Sequence, residues 1–206
     1  MPSRPITDEQ YEKLLTEVSR EKVSSFVKKR DVLYYKMLWF LGLRPGECRL
    51  IKVSQINFVD KTIFIPAQNN KERHEDYIFV PEFLFEKIIE YLRTRKVKSE
   101  WVFPNYHKRS DPVGTRTTQR AFTNRMKKLG FIHLSYYDKA NVPRYNLNLY
   151  SFRKHFETFV YVKMQRDPKI TANLLRHRDP ALKSVWRYIF WAEDSERKNL
   201  MQELYA

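Results

Sequence analysis

The chain has 206 residues, 42% hydrophobic and 15% aromatic, which is enough to bury one core and at most two small lobes. With 39 Lys and Arg against 24 Asp and Glu, its formal charge of +15 suits a polyanion, nucleic acid first; a membrane surface or a merely solvated basic surface is the alternative. One cysteine, Cys48, excludes an intramolecular disulfide and a Cys-rich zinc site, and the absence of any apolar run of about 18 residues or of a signal-peptide core leads us to expect a soluble intracellular protein.

The first predicted element follows a capping box at Thr7 and Gln10, with Tyr11, Leu14, Leu15 and Val18 at the spacing of one helix face. A second helix is expected from near Asp31, with Leu33, Met37, Phe40 and Leu41 on one side, ending at Gly42. Arg44 then falls in a turn, and a short helix follows it. Between Ile56 and Val80 the runs QINFV, KTIFIP and DYIFVP predict a three-stranded antiparallel sheet, interrupted by the polar loop QNNKERHE. A helix from Pro81 should turn Phe85, Ile88, Ile89 and Leu92 inward; Arg93 to Gly114 reads as loop around the segment WVFP. The next helix, Thr115 to Leu129, carries Phe122, Met126 and Leu129 on one stripe. Arg116, Arg120 and Lys127 form a separate cationic stripe, either a solvated face or a set of contacts to phosphates. Helices close the chain: Phe152 to Met164 with Phe152, Phe156, Phe159 and Val160 inward, then DPKITANLL and DPALKSVWRYIFW, each opened by an Asp-Pro pair. The expected fold is a single domain over 1–206, mainly α with one small three-stranded antiparallel sheet. Cys48 is expected to be a core residue.

Three stretches stand out together: GLRPGE at 42–47, LYSFRKHF at 149–156 and LLRHRDPALKSVWRYI at 174–189. They resemble the catalytic boxes of the tyrosine recombinases, the phage integrase family. Arg44 and Glu47 match the first box, a Gly-Leu-Arg turn with an acidic residue three positions on. Arg153 matches the arginine of the second, His-x-x-Arg; Tyr150 stands where the histidine would, a variant associated with archaeal branches. His177 matches the turn of the third box, Arg176 replaces its glycine, and Tyr188 falls two residues beyond the common spacing. The resemblance covers almost the whole chain; the helical core-binding domain that usually precedes this one in the family is expected to be missing, the chain being either a catalytic fragment or a recombinase reduced to its chemistry.

What the resemblance implies is metal-free, ATP-free cleavage and rejoining of double-stranded DNA. Tyr188 would attack the phosphate to give a 3′-phosphotyrosine, with Tyr161 and Tyr205 the next candidates. Arginine suits the charge that develops on the non-bridging oxygens because its planar fork donates two hydrogen bonds and stays ionised, and Arg44 and Arg153 would fill that role. Glu47 would orient or charge-balance Arg44, or be a solvated helix-start carboxylate. His177 would bind a non-bridging oxygen or help deprotonate the tyrosine, and Tyr150 would donate to the phosphate. His155 reads as the core partner of its helix. The general acid is expected on the hairpin loop, where Lys71 is favoured, although Gln68 occupies the usual lysine column. Arg116, Arg120, Lys127 and Arg176 are the expected DNA contacts. No cofactor and no metal are expected, and recombination would take place in a tetramer on two duplexes, docked through the C-terminal segment ERKNLMQELYA. A type IB topoisomerase and a catalytically silent DNA-binding regulator are the alternatives.

Overall fold

In the computed structural model, which describes residues 3–71, 73–163 and 167–175, seven helices surround a three-stranded sheet and a separate two-stranded ribbon. Helix α1 (Asp8–Arg20) starts at the expected box: the Thr7 hydroxyl accepts from the Gln10 amide at 3.3 Å, and the Gln10 side chain accepts from the Thr7 amide at 3.2 Å. Helix α2 (Ser25–Leu41) begins six residues ahead of Asp31, because Ser24 caps it by accepting from Val27 N. Asp31 is therefore no helix-start carboxylate. It is 5% exposed inside the helix and paired with Arg30 and Arg125, each at 2.8 Å. Gly42, in the left-handed region at φ 57, ends α2, and helix α3 (Pro45–Arg49) follows directly.

The sheet has the expected order, β1 (Ile56–Asn57), β2 (Thr62–Ile65) and β3 (Asp76–Phe79), all antiparallel. Ile63 faces Ile56 on one side and Ile78 on the other, and all three are buried, so this row sets the register. Helix α4 (Glu82–Thr94) buries Leu84, Phe85, Ile88 and Tyr91, with Ile89 and Leu92 packed at the edge of the core. The loop after it is held by Arg95, which donates to the carbonyls of Ser99, Trp101 and Val102.

Helix α5 (Thr115–Lys128) keeps the expected division of faces: Phe122 and Met126 are fully buried, while Arg116, Arg120 and Lys127 are exposed. Its buried Arg125 joins it to the first part of the chain, donating to both Glu21 oxygens (2.8 and 2.7 Å) and to the Tyr35 hydroxyl (2.8 Å). The expectation of a single sheet is corrected at the next element. A hairpin, β4 (Leu134–Tyr137) and β5 (Pro143–Tyr145), stands between α5 and the following helix. All four residues of β4 are exposed, so the strand carries no buried alternation to read. Its turn depends on Asp138, which accepts from the amides of Ala140 and Val142.

Helix α6 (Tyr150–Lys163) begins two residues before the expected Phe152, and helix α7 (Pro168–Leu174) begins at Asp167-Pro168, where the Asp167 carboxylate accepts from Lys169 N at 2.7 Å. Phe152 sits at the centre of the core, stacked on Tyr35 (5.6 Å between centroids, 8°) and edge-on to Tyr11 and Trp39. Phe159, expected inward, is 49% exposed: α6 buries Ser151, Phe152, Arg153, Lys154, Glu157, Val160 and Tyr161, so charged residues take part of the face expected to be apolar. No described helix is long and apolar enough to cross a membrane.

Candidate active site

The turn at 42–47 is built by packing and hydrogen bonds before any charge is considered. Gly42 has positive φ, and a Cβ there would lie 2.3 Å from the ring of Phe156 on α6, so only glycine lets the turn approach that helix. Tyr34, buried in α2, donates to the Pro45 carbonyl at 2.9 Å and fixes the start of α3. Arg44 lies between these anchors, 7% exposed. Glu47 is 2% exposed and receives Arg44 Nη1 at 2.7 Å and the Arg44 amide at 3.1 Å. It is a buried counterion and helix cap, and the reading of it as a solvated carboxylate is overturned. Cys48 beside it is fully buried, as expected, with its thiol pushed well above the ordinary range by burial and then by the Glu47 charge.

Arg153 projects from α6 into the same region, 5% exposed. Its Nη1 donates to Gly42 O and its Nη2 to Leu175 O, both at 2.7 Å. One guanidinium thus holds the carbonyl two residues before Arg44 and the carbonyl of the residue just before Arg176. The three stretches singled out by sequence, 111 and 22 residues apart along these bonds, are brought to one side chain. Glu157 Oε1 lies 3.4 Å from Arg153 Nε. Tyr150, one turn earlier, opens α6 with its amide on the Asn148 side chain and its own side chain 51% exposed.

His155, on the flank of α6, stacks on Trp39 with centroids 3.5 Å apart and lies 3.9 Å from Asp8; burial lowers its pKa, and Asp8 partly opposes this. It is the core partner expected. Tyr161 is 6% exposed, packed in α6. The hairpin loop is tethered by Asn69, which donates to Leu50 O, and by the buried Asn70, which donates to His74 O at 3.0 Å. Lys71 and Gln68 are both exposed on it, and among the described residues Lys71 makes no hydrogen bond or ion pair; the structure does not join it to Arg44 or Arg153. The cationic face of α5 adjoins the start of α6 through Gln119, whose side chain accepts from Leu149 N at 3.5 Å. Lys127 turns away from that end, its ammonium on the hydroxyl and ring of Tyr145. Arg176, His177, Tyr188 and Tyr205 lie outside the described residues.

Sequence reasoning missed Glu157 and the Gly42–Phe156 contact. The first had a readable signal, an Arg and a Glu four apart on a helix; the second had none, since it joins residues distant in sequence.

Tyrosine recombinase XerA of Pyrococcus furiosus is 24% identical over 205 residues, which are 98% of this chain and 64% of that protein, so the chain spans less than two thirds of the relative's length. The crystal structure of XerA recombinase superposes with a TM-score of 0.70 at 17% identity, covering 98% of this chain and 64% of that one. XerH site-specific recombinase, bound to a palindromic difH substrate in a post-cleavage complex, gives 0.67 at 20% identity, covering 89% and 48%. These structures share the mainly helical fold with its small antiparallel sheet. The profile of the phage integrase family matches residues 4–189, nearly the whole chain, and the chain belongs to that family.

Proposed function

We propose that this chain is the catalytic domain of a tyrosine recombinase, acting on double-stranded DNA inside the cell and assembling as a tetramer on two duplexes during strand exchange. The observation that carries the proposal is the pair of hydrogen bonds from Arg153 to Gly42 O and Leu175 O, because they hold the arginine turn, the second-box helix and the residue before Arg176 around one guanidinium. In this reading the Tyr188 hydroxyl attacks the scissile phosphorus and its proton passes toward His177. The bond from phosphorus to the 5′ oxygen breaks, and that oxygen leaves as a hydroxyl with a proton supplied from the hairpin loop by Lys71. Arg44 and Arg153 donate to the non-bridging oxygens as charge builds on them, and Tyr150 adds a neutral donor. The phosphotyrosine conserves the ester, so a 5′-hydroxyl from another strand reverses the step with new connectivity and no ATP.

Support for the DNA partner comes from the net charge of +15, from the exposed Arg116 and Arg120 on α5, and from the structurally similar XerH, solved bound to a difH substrate. The test is a suicide duplex nicked so that the cleaved strand cannot religate, followed by peptide mapping of the DNA-linked residue. A covalent adduct at Tyr188 that disappears in Tyr188→Phe, with DNA binding retained, is expected. DNA binding with no adduct from the wild-type chain would replace the enzyme with a silent DNA-binding module. Nicking and religation confined to one duplex would make it topoisomerase-like.

A further inference from the structure

We infer that Glu157 is a positioning residue for Arg153. Together with Glu47 it completes a pair of buried carboxylates that match the two arginines charge for charge in the described part of the site; the inference rests on the recombinase reading above. Both ion pairs have the same construction. Arg44 is followed three residues later by Glu47, with 9% and 2% of the two side chains exposed. Arg153 is followed four residues later by Glu157, with 6% and 3% exposed. Neither is a surface pair of the kind that adds little, and a guanidinium this deep needs a countercharge as well as hydrogen-bond acceptors.

Among the described residues, the partners of Arg153 divide by edge. Its two terminal nitrogens donate to neutral carbonyls, Gly42 O and Leu175 O, whereas the Nε edge faces the Glu157 carboxylate at 3.4 Å. Carbonyls fix where the fork lies, and the carboxylate sets its rotation and neutralises it. The α-helix enforces this, since residues four apart stand one above the other on the inward face.

One consequence separates this role from plain stabilisation of the fold. With two arginines and two glutamates, the two buried pairs carry no excess charge of their own with which to attract a phosphodiester. Their advantage lies in donors held in place. Removing the Glu157 charge leaves the cluster with one more positive charge and a loosened fork. Binding and cleavage should then move in opposite directions.

The experiment uses the full chain with three variants, Glu157→Gln, Glu157→Asp and Glu157→Ala, on the nicked suicide duplex. Single-turnover cleavage at saturating DNA is measured beside the Kd of the same duplex in a Tyr188→Phe background, at one fixed salt concentration, with Tm recorded for each protein. Glu157→Gln should bind as tightly as wild type or tighter, yet cleave about tenfold or more slowly, the scale of a small misplacement of a reacting group. Glu157→Asp keeps the charge and loses reach, so its Kd should match wild type and its rate should fall between the two. On a duplex whose scissile phosphate carries a neutral methyl in place of one non-bridging oxygen, Arg153 has less charge to stabilise and the gap between wild type and Glu157→Gln should narrow. Wild-type cleavage by Glu157→Gln overturns the inference. So does a parallel loss of Tm, affinity and rate in both Glu157→Gln and Glu157→Asp, which assigns Glu157 to the fold alone. A wild-type chain that forms no adduct overturns the recombinase reading, and this inference falls with it.

Discussion

Replacing Gly42 by alanine tests the claim that the arginine turn is positioned by close packing on α6. The turn needs φ 57 at this residue, and the left-handed conformation costs an alanine about 1–2 kcal/mol. The new Cβ would lie 2.3, 2.8 and 3.0 Å from three carbons of the Phe156 ring, distances at which the ring or the turn must move. Overpacking of this kind costs about 1–3 kcal/mol, so the substitution should cost about 2–5 kcal/mol, a large part of the roughly 5–15 kcal/mol that holds a domain together. The two contributions can be separated. In Gly42→Ala with Phe156→Leu the ring is gone and only the backbone cost remains, so the pair should be less destabilised than the sum of the singles by about 1–3 kcal/mol. Urea unfolding followed by circular dichroism measures each value, provided the slopes agree. A Gly42→Ala protein as stable as wild type, or a double variant that shows no such coupling, would refute the packing argument.

Three further outcomes follow from the site. Lys71→Ala should cleave ordinary DNA slowly and be rescued when the 5′-bridging oxygen is sulfur, since a thiolate with a pKa of about 8.5 leaves without a proton. Rescue seen in Gln68→Ala instead would move the general acid. Arg116→Ala with Arg120→Ala should weaken binding to all duplexes and lower the slope of log K against log salt by about 1.8, two phosphate contacts' worth; an unchanged slope removes that face from the interface. His155, pushed below its ordinary 6.5 by burial against Trp39, binds fewer protons folded than unfolded between its lowered pKa and 6.5. Stability should therefore hold above that window and fall as pH drops through 6.5 toward the folded value, and Tm against pH should lose this limb in His155→Gln.

What the sequence disclosed depended on whether the signal was local. The Thr7–Gln10 box, the Ile56–Ile63–Ile78 row and the divided faces of α5 are each visible in a short window, because capping and burial act over one turn or one strand pair. The start of α2 was misplaced because Asp31 imitates a helix-start acid, while its real partners, Arg30 and Arg125, lie inside the core, one of them far along the chain. The β4–β5 hairpin was invisible because nothing on β4 is buried, so alternation had nothing to report. Phe159 was assigned inward because apolar residues usually define the buried face. On α6 the buried face includes Arg153 and Glu157, and Phe159 lies off it, its ring against His155.

That inversion on α6 links the fold to the chemistry proposed for it. An arginine at 5% exposure is costly unless its donors are met, and two of the groups that meet the donors of Arg153 belong to the turn before Arg44 and to the end of α7. The charge is thus tolerable only when the Gly42 turn, α6 and the chain up to Leu175 have closed around it, and closing them brings Arg153 to the turn that carries Arg44. The same bonds that lower the cost of burying Arg153 also define its direction, so orientation comes with folding instead of being imposed by the substrate. Glu47 repeats the logic locally at Arg44, where one carboxylate satisfies both the side chain and the backbone amide of the residue it neutralises. In the proposed function, a net charge of +15 draws a polyanion at long range without choosing among its phosphates, and that choice would fall to these short, fixed donors.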